Sequence, residues 1–282
     1  MSDALPRITV VMPSYNQAPF LEEALSSVLE QDHPDVEFFV LDGGSTDGSV
    51  EIIKEHADQL DWWRSHPDDG QSAALREGFD RATGDILCWL NSDDRLAPGA
   101  LKRVADVGME HGPVMIAGGC QMFGPASRGK HHVPWFTRER DGVVPLPLER
   151  MLDLANHWFP GEFFFQPEVF FPADDYRAIG GVDPNYYYTM DYDLWVRLAL
   201  HGTRVVVIDD TLAWYREHEQ QKTDDKAALY DEMIRTANHY LDKAPLPAAK
   251  VRRLKRSNAI VGNPVARRAA KITARARHRI GL

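Results

Sequence analysis

Over its first hundred residues the chain alternates short apolar runs with stretches of helical period, and few architectures accept that alternation. Residues 8–12 form an apolar strand. Residues 20–29 carry apolar side chains at 20, 21, 24, 25, 28 and 29, the spacing of an amphipathic helix. Residues 36–41 predict a second strand, 50–60 a second helix, 71–82 a third helix and 86–90 a further strand. A βαβαβ order predicts a parallel sheet with right-handed crossovers, flanked by helices, with ligands at the carboxyl ends of the strands. Polar clusters sit at those ends: Pro13-Ser14-Tyr15-Asn16, Asp42-Gly43-Gly44-Ser45 and Asn91-Ser92-Asp93-Asp94.

The second half is less regular. Residues 114–121 and 204–208 read as strands, 163–171 as an aromatic strand-like run, and 191–201 and 224–241 as helices. Residues 123–141, rich in Gly, Pro and charge, read as a mobile loop, and 244–247 as a linker. Of 32 Lys and Arg, eleven fall in 244–282, which holds none of the 42 Asp and Glu; the rest carries 21 basic against 42 acidic residues. A body this acidic speaks against nucleic acid as a partner. In the tail, Val265, Ala269, Ile272, Ala276 and Ile280 share one helical face, and Arg267, Arg268, Lys271, Arg275 and Arg279 crowd the others. A basic amphipathic helix reads as an element that docks on an anionic membrane surface, or on the acidic body itself.

Carboxylates where an apolar strand ends, as at Asn91-Ser92-Asp93-Asp94, suit a hard divalent cation completed by phosphate oxygens and water; helix capping is the plainer alternative. In Asp42-Gly43-Gly44-Ser45-Thr46-Asp47-Gly48, the glycines permit close backbone approach. Asp42 is placed to hold a base or ribose and Asp47 to cap the next helix. No P-loop lysine motif and no GxGxxG occurs, which removes the main support for ATPase and dehydrogenase readings.

Five ordered segments resemble the family-2 glycosyltransferases with the GT-A fold. They are Thr9-Val10-Val11-Met12-Pro13-Ser14-Tyr15-Asn16, Leu41-Asp42-Gly43-Gly44-Ser45-Thr46-Asp47-Gly48, Asp68-Asp69-Gly70-Gln71-Ser72, Ala82-Thr83-Gly84-Asp85 and Asn91-Ser92-Asp93-Asp94. The resemblance covers residues 7–105 and, more loosely, 160–223. It implies a Rossmann-like, mainly parallel sheet flanked by helices. A GT-A domain over 1–243 would divide into a nucleotide-binding half, about 1–105, and an acceptor half, about 106–243, with 244–282 as a helical C-terminal extension.

The resemblance also implies roles. Pro13, Tyr15 and Asp42 would line the nucleoside pocket, with Asp68, Gln71 and Arg76 near the base or diphosphate. Asn91-Ser92-Asp93 matches the DxD motif, with Asp93 the metal ligand and Asn91 in place of the usual first Asp. Met190-Asp191-Tyr192-Asp193 matches the segment bearing the catalytic base, with Met190 where Glu is usual and Asp191 as the base. Asp193 and Arg197 read as a structural i,i+4 pair. Tyr215-Arg216-Glu217-His218-Glu219-Gln220-Gln221-Lys222-Thr223 resembles a loop closing over the diphosphate, with His218 a second metal ligand and Arg216 and Lys222 facing phosphate. Trp158 and Gln166 would line the donor or acceptor pocket.

The activity so implied is inverting transfer of a sugar from a nucleoside diphosphate, UDP by family frequency, to a sugar or lipid-linked acceptor hydroxyl. It would be assisted by Mn²⁺ or Mg²⁺ and set in cell-surface polysaccharide or glycolipid synthesis. A sugar nucleotidyltransferase and an inactive nucleotide-sugar-binding protein are the rival readings. The polar start of the chain, the two isolated cysteines Cys88 and Cys120, and the lack of an apolar run of membrane-spanning length lead us to expect a cytoplasmic protein, peripheral at most at the inner face of the plasma membrane.

Overall fold

A computed structural model describes residues 5–219, 221–222, 225–261, 263 and 265. The first half follows the period of its sequence. Strands β1 (Ile8–Ser14), β2 (Val36–Asp42), β3 (Trp62–Ser65) and β4 (Ile86–Trp89) are joined through helices α1 (Ala18–Leu29), α2 (Ser49–Glu55) and α3 (Gln71–Arg81). These four strands pair in parallel in the order β3-β2-β1-β4. The strand β3 was not foreseen, because its two leading tryptophans lie in a run of only four residues.

Beyond β4 the sheet becomes mixed. After β5 (Arg95–Leu96) and α4 (Ala100–His111) come β6 (Met115–Phe123), β7 (His131–His132), β8 (Val143–Pro145), α5 (Leu148–Leu152), β9 (Val169–Pro172), α6 (Ala173–Ala178), α7 (Met190–His201) and β10 (Arg204–Arg216). Strand β9 lies antiparallel between β4 and β6, whereas β10 runs parallel to β6. The chain then forms α8 (Lys226–Leu241) and α9 (Ala248–Val261).

Alternation along the strands sends side chains to two separate cores. Val11, Leu41, Leu87 and Trp89 face one side, covered by α3, α7 and α8. Val10, Met12, Val40 and Cys88 face the other, covered by α1, α2 and α4. Cys88 and Cys120 are both free thiols and buried. On the first side an aromatic cluster fills the space; Trp89 stacks on Trp195 at 5.5 Å, with Phe171 edge-on to both. Helix α3 lies so close to β1 that a Cβ at Gly78 would stand 2.6 Å from Val11 Cγ1.

Several boundaries moved for identifiable reasons. Strand β10 continues past 208, where the expected strand ends, through Asp209-Asp210; a bulge against β6 places both carboxylates outward, where they pair with Arg140 and Arg103. Residues 163–165 are not strand. Pro167 and the Glu168 carboxylate, which accepts the Phe165 N–H at 3.0 Å, make a short 3₁₀ turn before β9. The segment 123–141 is fastened at several points: β7 pairs with β6, Phe136 is buried against Phe163, and Arg103 binds Asp141.

The stretch after the linker at 244–247 begins with a helix that is built into the domain. Leu254, Asn258 and Val261 of α9 are buried. The Asn258 amide accepts the Leu154 N–H and donates to Leu152 C=O, both at 3.0 Å. The outer face of α9 presents Arg252, Arg253, Arg256 and Ile260. The amphipathic stripe that follows, from Ala269 on, lies outside the described residues. Among the described residues no helix is long and apolar enough to cross a membrane.

Leu254→Ala should therefore cost about 2–5 kcal/mol of stability, as for other buried leucines. Asn258→Ala, which leaves two buried backbone groups unpaired, should cost about 1–3 kcal/mol. Urea unfolding measures both; midpoints equal to wild type would show that α9 contributes nothing to the fold.

Candidate functional site

The carboxyl ends of β1 to β4 open into a cleft of about 1040 Å³, closed on its far side by the start of α7, the segment after β10 and the first half of α8. A shallower depression of about 760 Å³ over Trp214 and Gly124 offers no ionisable side chain among its lining residues.

The first wall is made by two interlocked loops. Asn16 follows β1 with a φ of 53°, a left-handed conformation that Asn tolerates. Its amide oxygen accepts the Thr46 N–H at 2.9 Å, and its own N–H reaches the Ser45 hydroxyl at 2.7 Å. Gly44, at φ 85°, leaves no room for a Cβ, which would lie 3.0 Å from Pro67 N. Pro13, Tyr15, Gly43 and Asp68 face the cleft. Asp68 is paired with Arg64 at 2.9 Å.

Asp42 does not reach the cleft. Its buried carboxylate accepts the N–H groups of Gly44 and Ser45 and the hydroxyls of Ser45 and Ser65. The side chain expected to contact nucleoside instead shapes the turn that lines the cleft. Asp47 is not the N-cap of α2, a place taken by Gly48, but from one residue before it accepts the N–H of Ser49 at the start of α2 and that of Ala18 at the start of α1. Thr83 and Gly84 serve the sheet, binding buried Glu37 and Thr9.

The floor is the end of β4. Asn91, Ser92 and Asp93 line the cleft, and Asp93 Oδ2 lies 3.0 Å from His218 Nε2. A carboxylate oxygen and an imidazole nitrogen converging at one edge of the cleft suit Mn²⁺ or Mg²⁺, with further ligands from phosphate and water. Among the described residues no group of three such side chains gathers. Asp94 is buried behind them; burial and then the Asp93 charge push its carboxyl well above the usual range.

The far wall carries Asp191 in the first turn of α7, beside Tyr187, Tyr188 and Thr189. Burial raises its carboxyl to about 6, against the opposing effects of the Tyr192 N–H at 2.6 Å and the Lys222 charge. Burial lowers the Lys222 ammonium to about 8, partly offset by Asp191 and Glu232. That ammonium stands 4.0 Å from the Tyr187 ring centroid and 3.1 Å from Gln71 Oε1.

Two expected phosphate-side cations stand elsewhere. Arg76 binds Asp80 and the carbonyls of Gly180 and Val182, on the side of α3 away from the cleft. Arg216 is a scaffold residue: its guanidinium is bonded to Asp93 C=O and Glu23 and lies over Phe20 and Phe123. Asp193 and Arg197 form the expected pair at 2.5 Å, which the Tyr240 hydroxyl joins by donating to Asp193. Trp158 and Gln166 both line the cleft, and Gln166 donates to Trp89 C=O at 2.7 Å.

Sequence reasoning missed Glu232 altogether. Its carboxylate accepts the N–H groups of Tyr188 and Thr189 at 2.8 Å and the Thr189 hydroxyl at 2.9 Å, which holds the turn leading to Asp191. No local spacing links positions 189 and 232. It also missed Leu229 and Met233, two apolar cleft residues that look like ordinary core positions of α8. The buried Glu168 was missed as well. Burial raises it to about 7, opposed by His132, whose Nδ1 lies 3.0 Å away and ties β7 to the back of the cleft.

Comparison with known proteins places this geometry. The family described as "Glycosyl transferase family 2" matches residues 9–170, more than half the chain. TuaG of Bacillus subtilis, a glycosyltransferase assigned by its name to teichuronic acid biosynthesis, is 31% identical over 39% of this chain and 45% of its own. The chain spans between about a third and two thirds of the length of the curated relatives it matches. Staphylococcus aureus TarS in complex with UDP superposes with a TM-score of 0.67 at 18% identity, over 90% of this chain and 71% of that one. The Pyrobaculum calidifontis mannosyltransferase PcManGT, in complex with GDP-Man and Mn²⁺, gives 0.63 at 18% identity, over 98% and 76%. The chain belongs to glycosyl transferase family 2 and has the GT-A fold.

Proposed function

We propose that the protein moves a sugar from a nucleoside diphosphate, UDP in preference, to an acceptor hydroxyl by a single inverting displacement, in the building of a cell-surface polysaccharide or glycolipid. The observation that carries this reading is the half-buried Asp191 carboxyl, raised to about 6, in the same cleft as the Asp93–His218 edge. Asp191 would take the proton from the attacking hydroxyl. Asp68 and Asp93, the other two carboxylates lining the cleft, are paired with Arg64 and His218. One base with no second carboxylate left for a covalent intermediate fits inversion. Pro13, Tyr15 and the Gly43–Gly44 turn would receive the nucleoside, and Lys222 would counter charge on the diphosphate. Ser92 lines the floor between them.

Asp93 and His218 would hold the divalent ion, whose Lewis acidity would ease departure of the diphosphate. The UDP-bound TarS and the Mn²⁺-bound PcManGT support the nucleotide and the metal by analogy of fold. The exposed arginines of α9, with the basic tail beyond, support docking on an anionic membrane that presents a lipid-linked acceptor.

Asp191→Asn should lower kcat by about 10²- to 10⁴-fold with little change in donor affinity. In the wild type, kcat/KM should fall as pH drops through about 6, where Asp191 gains its proton, and again above about 8, where Lys222 loses its charge. A profile flat from pH 5 to 7 would remove Asp191 as the base.

Asp93→Ala should abolish Mn²⁺-dependent transfer and donor hydrolysis while the protein remains folded. Near wild-type turnover at saturating Mn²⁺ would defeat the metal assignment. Donor hydrolysis by wild type that is absent with and without Mn²⁺ would favour an inactive binding protein, and pyrophosphate release a nucleotidyltransferase.

Full-length protein should co-sediment with anionic vesicles at low salt and release at high salt. Truncation after Val261, which keeps α9 and its arginines but removes the rest of the basic tail, should weaken binding strongly. Equal binding by the truncated chain would rule out the tail as anchor.

A further inference from the structure

A chain of hydrogen bonds crosses the cleft floor from Lys222 to Asp94. Lys222 Nζ donates to Gln71 Oε1 at 3.1 Å, and Gln71 Nε2 donates to Asn91 Oδ1 at 2.7 Å. Asn91 Nδ2 then approaches Asp94 Oδ2 at 3.4 Å, while Asp94 Oδ1 accepts the Arg216 N–H at 2.8 Å. An ammonium has only donors, so it turns the Gln71 oxygen toward itself and the Gln71 NH₂ toward Asn91. The Asn91 oxygen must answer that NH₂, which leaves its own NH₂ directed at the Asp94 carboxyl.

We propose that Gln71 and Asn91 form an amide relay of fixed polarity that positions the Lys222 ammonium over the cleft, joining the two ends of the segment 216–222 through its floor. Gln71 is thus a positioning residue for Lys222. This rests on the reading of Lys222 as the cation facing the diphosphate. The relay also gives a physical reason for an amide at 91. An aspartate there would still accept from Gln71, but it would meet Asp94 with no N–H to offer. A third carboxylate would then stand beside those of Asp93 and Asp94 and add like charge at the cleft floor.

The test uses the full chain and three variants, Gln71→Met, Asn91→Asp and Lys222→Met. Hydrogen–deuterium exchange over 216–222, without donor, should quicken in Gln71→Met and in Asn91→Asp at an unchanged Tm. The KM for UDP-sugar should rise about tenfold in each variant, the worth of one charge-assisted hydrogen bond. Gln71→Met should add nothing to Lys222→Met, because it acts through that lysine. Unchanged exchange in Gln71→Met, additive effects in the double variant, or a wild-type KM in Asn91→Asp would each overturn the relay. Gln71 is half-buried in the first turn of α3, so Gln71→Met carries the test even where Asn91→Asp does not fold. If Gln71→Met frees the segment while Lys222→Met leaves KM unchanged, the relay stands and the phosphate-facing role of Lys222 falls.

Discussion

The cleft depends on the buried carboxyl of Asp94. It follows β4 yet binds the backbone of Arg216 at the end of β10, and the Arg216 guanidinium returns the contact at the Asp93 carbonyl. The contact extends the pairing of Arg95 in β5 with Trp214 in β10, so that the ends of β4 and β10 are held at one height. A carboxyl so buried is costly unless its hydrogen bonds are made. Those bonds come from Arg216 and Asn91, both cleft-forming positions. The same group that closes the floor therefore fixes where the segment bearing His218 and Lys222 begins.

Much of the fold was legible because the first half obeys simple periods. Apolar runs bounded by Gly and Asp clusters became β1, β2 and β4, and their polar ends became the cleft. Where the reading failed, the deciding interactions were distant in sequence. Asp42 looked like a ligand residue because it ends a strand beside glycines; what it serves is set by Ser65, twenty-three residues on. Arg76 followed a family motif, but the helical period turns it toward Gly180 and Val182. The strand expected over 204–208 ended short because exposed Asp209-Asp210 on a bulged strand lack an apolar period.

The placement of Asp191 shows the limit most clearly. Sequence indicates a carboxylate at the start of a helix, a position that favours its anion through the helix dipole. Burial pushes the other way and prevails, raising it to about 6. Tyr187, Tyr188 and, from α8, Leu229 and Met233 line the same cleft, and Glu232 of α8 binds the three residues before α7.

The chain of support continues past the cleft. Helix α8 packs on α9, and α9 places Asn258 against the backbone of Leu152 and Leu154. Those residues lead directly into Trp158, which lines the cleft and stacks on Phe163. A helix that composition marks as part of a basic tail is thus one end of a continuous path of packing to the cleft wall that Trp158 forms. Its inner face is fixed by burial, and Lys250, Arg253 and Lys255 at its flanks pair with Glu149 and Asp242 of the acidic body. The side that supports the wall is apolar and neutral, so the basic residues of α9 lie outside that path of packing.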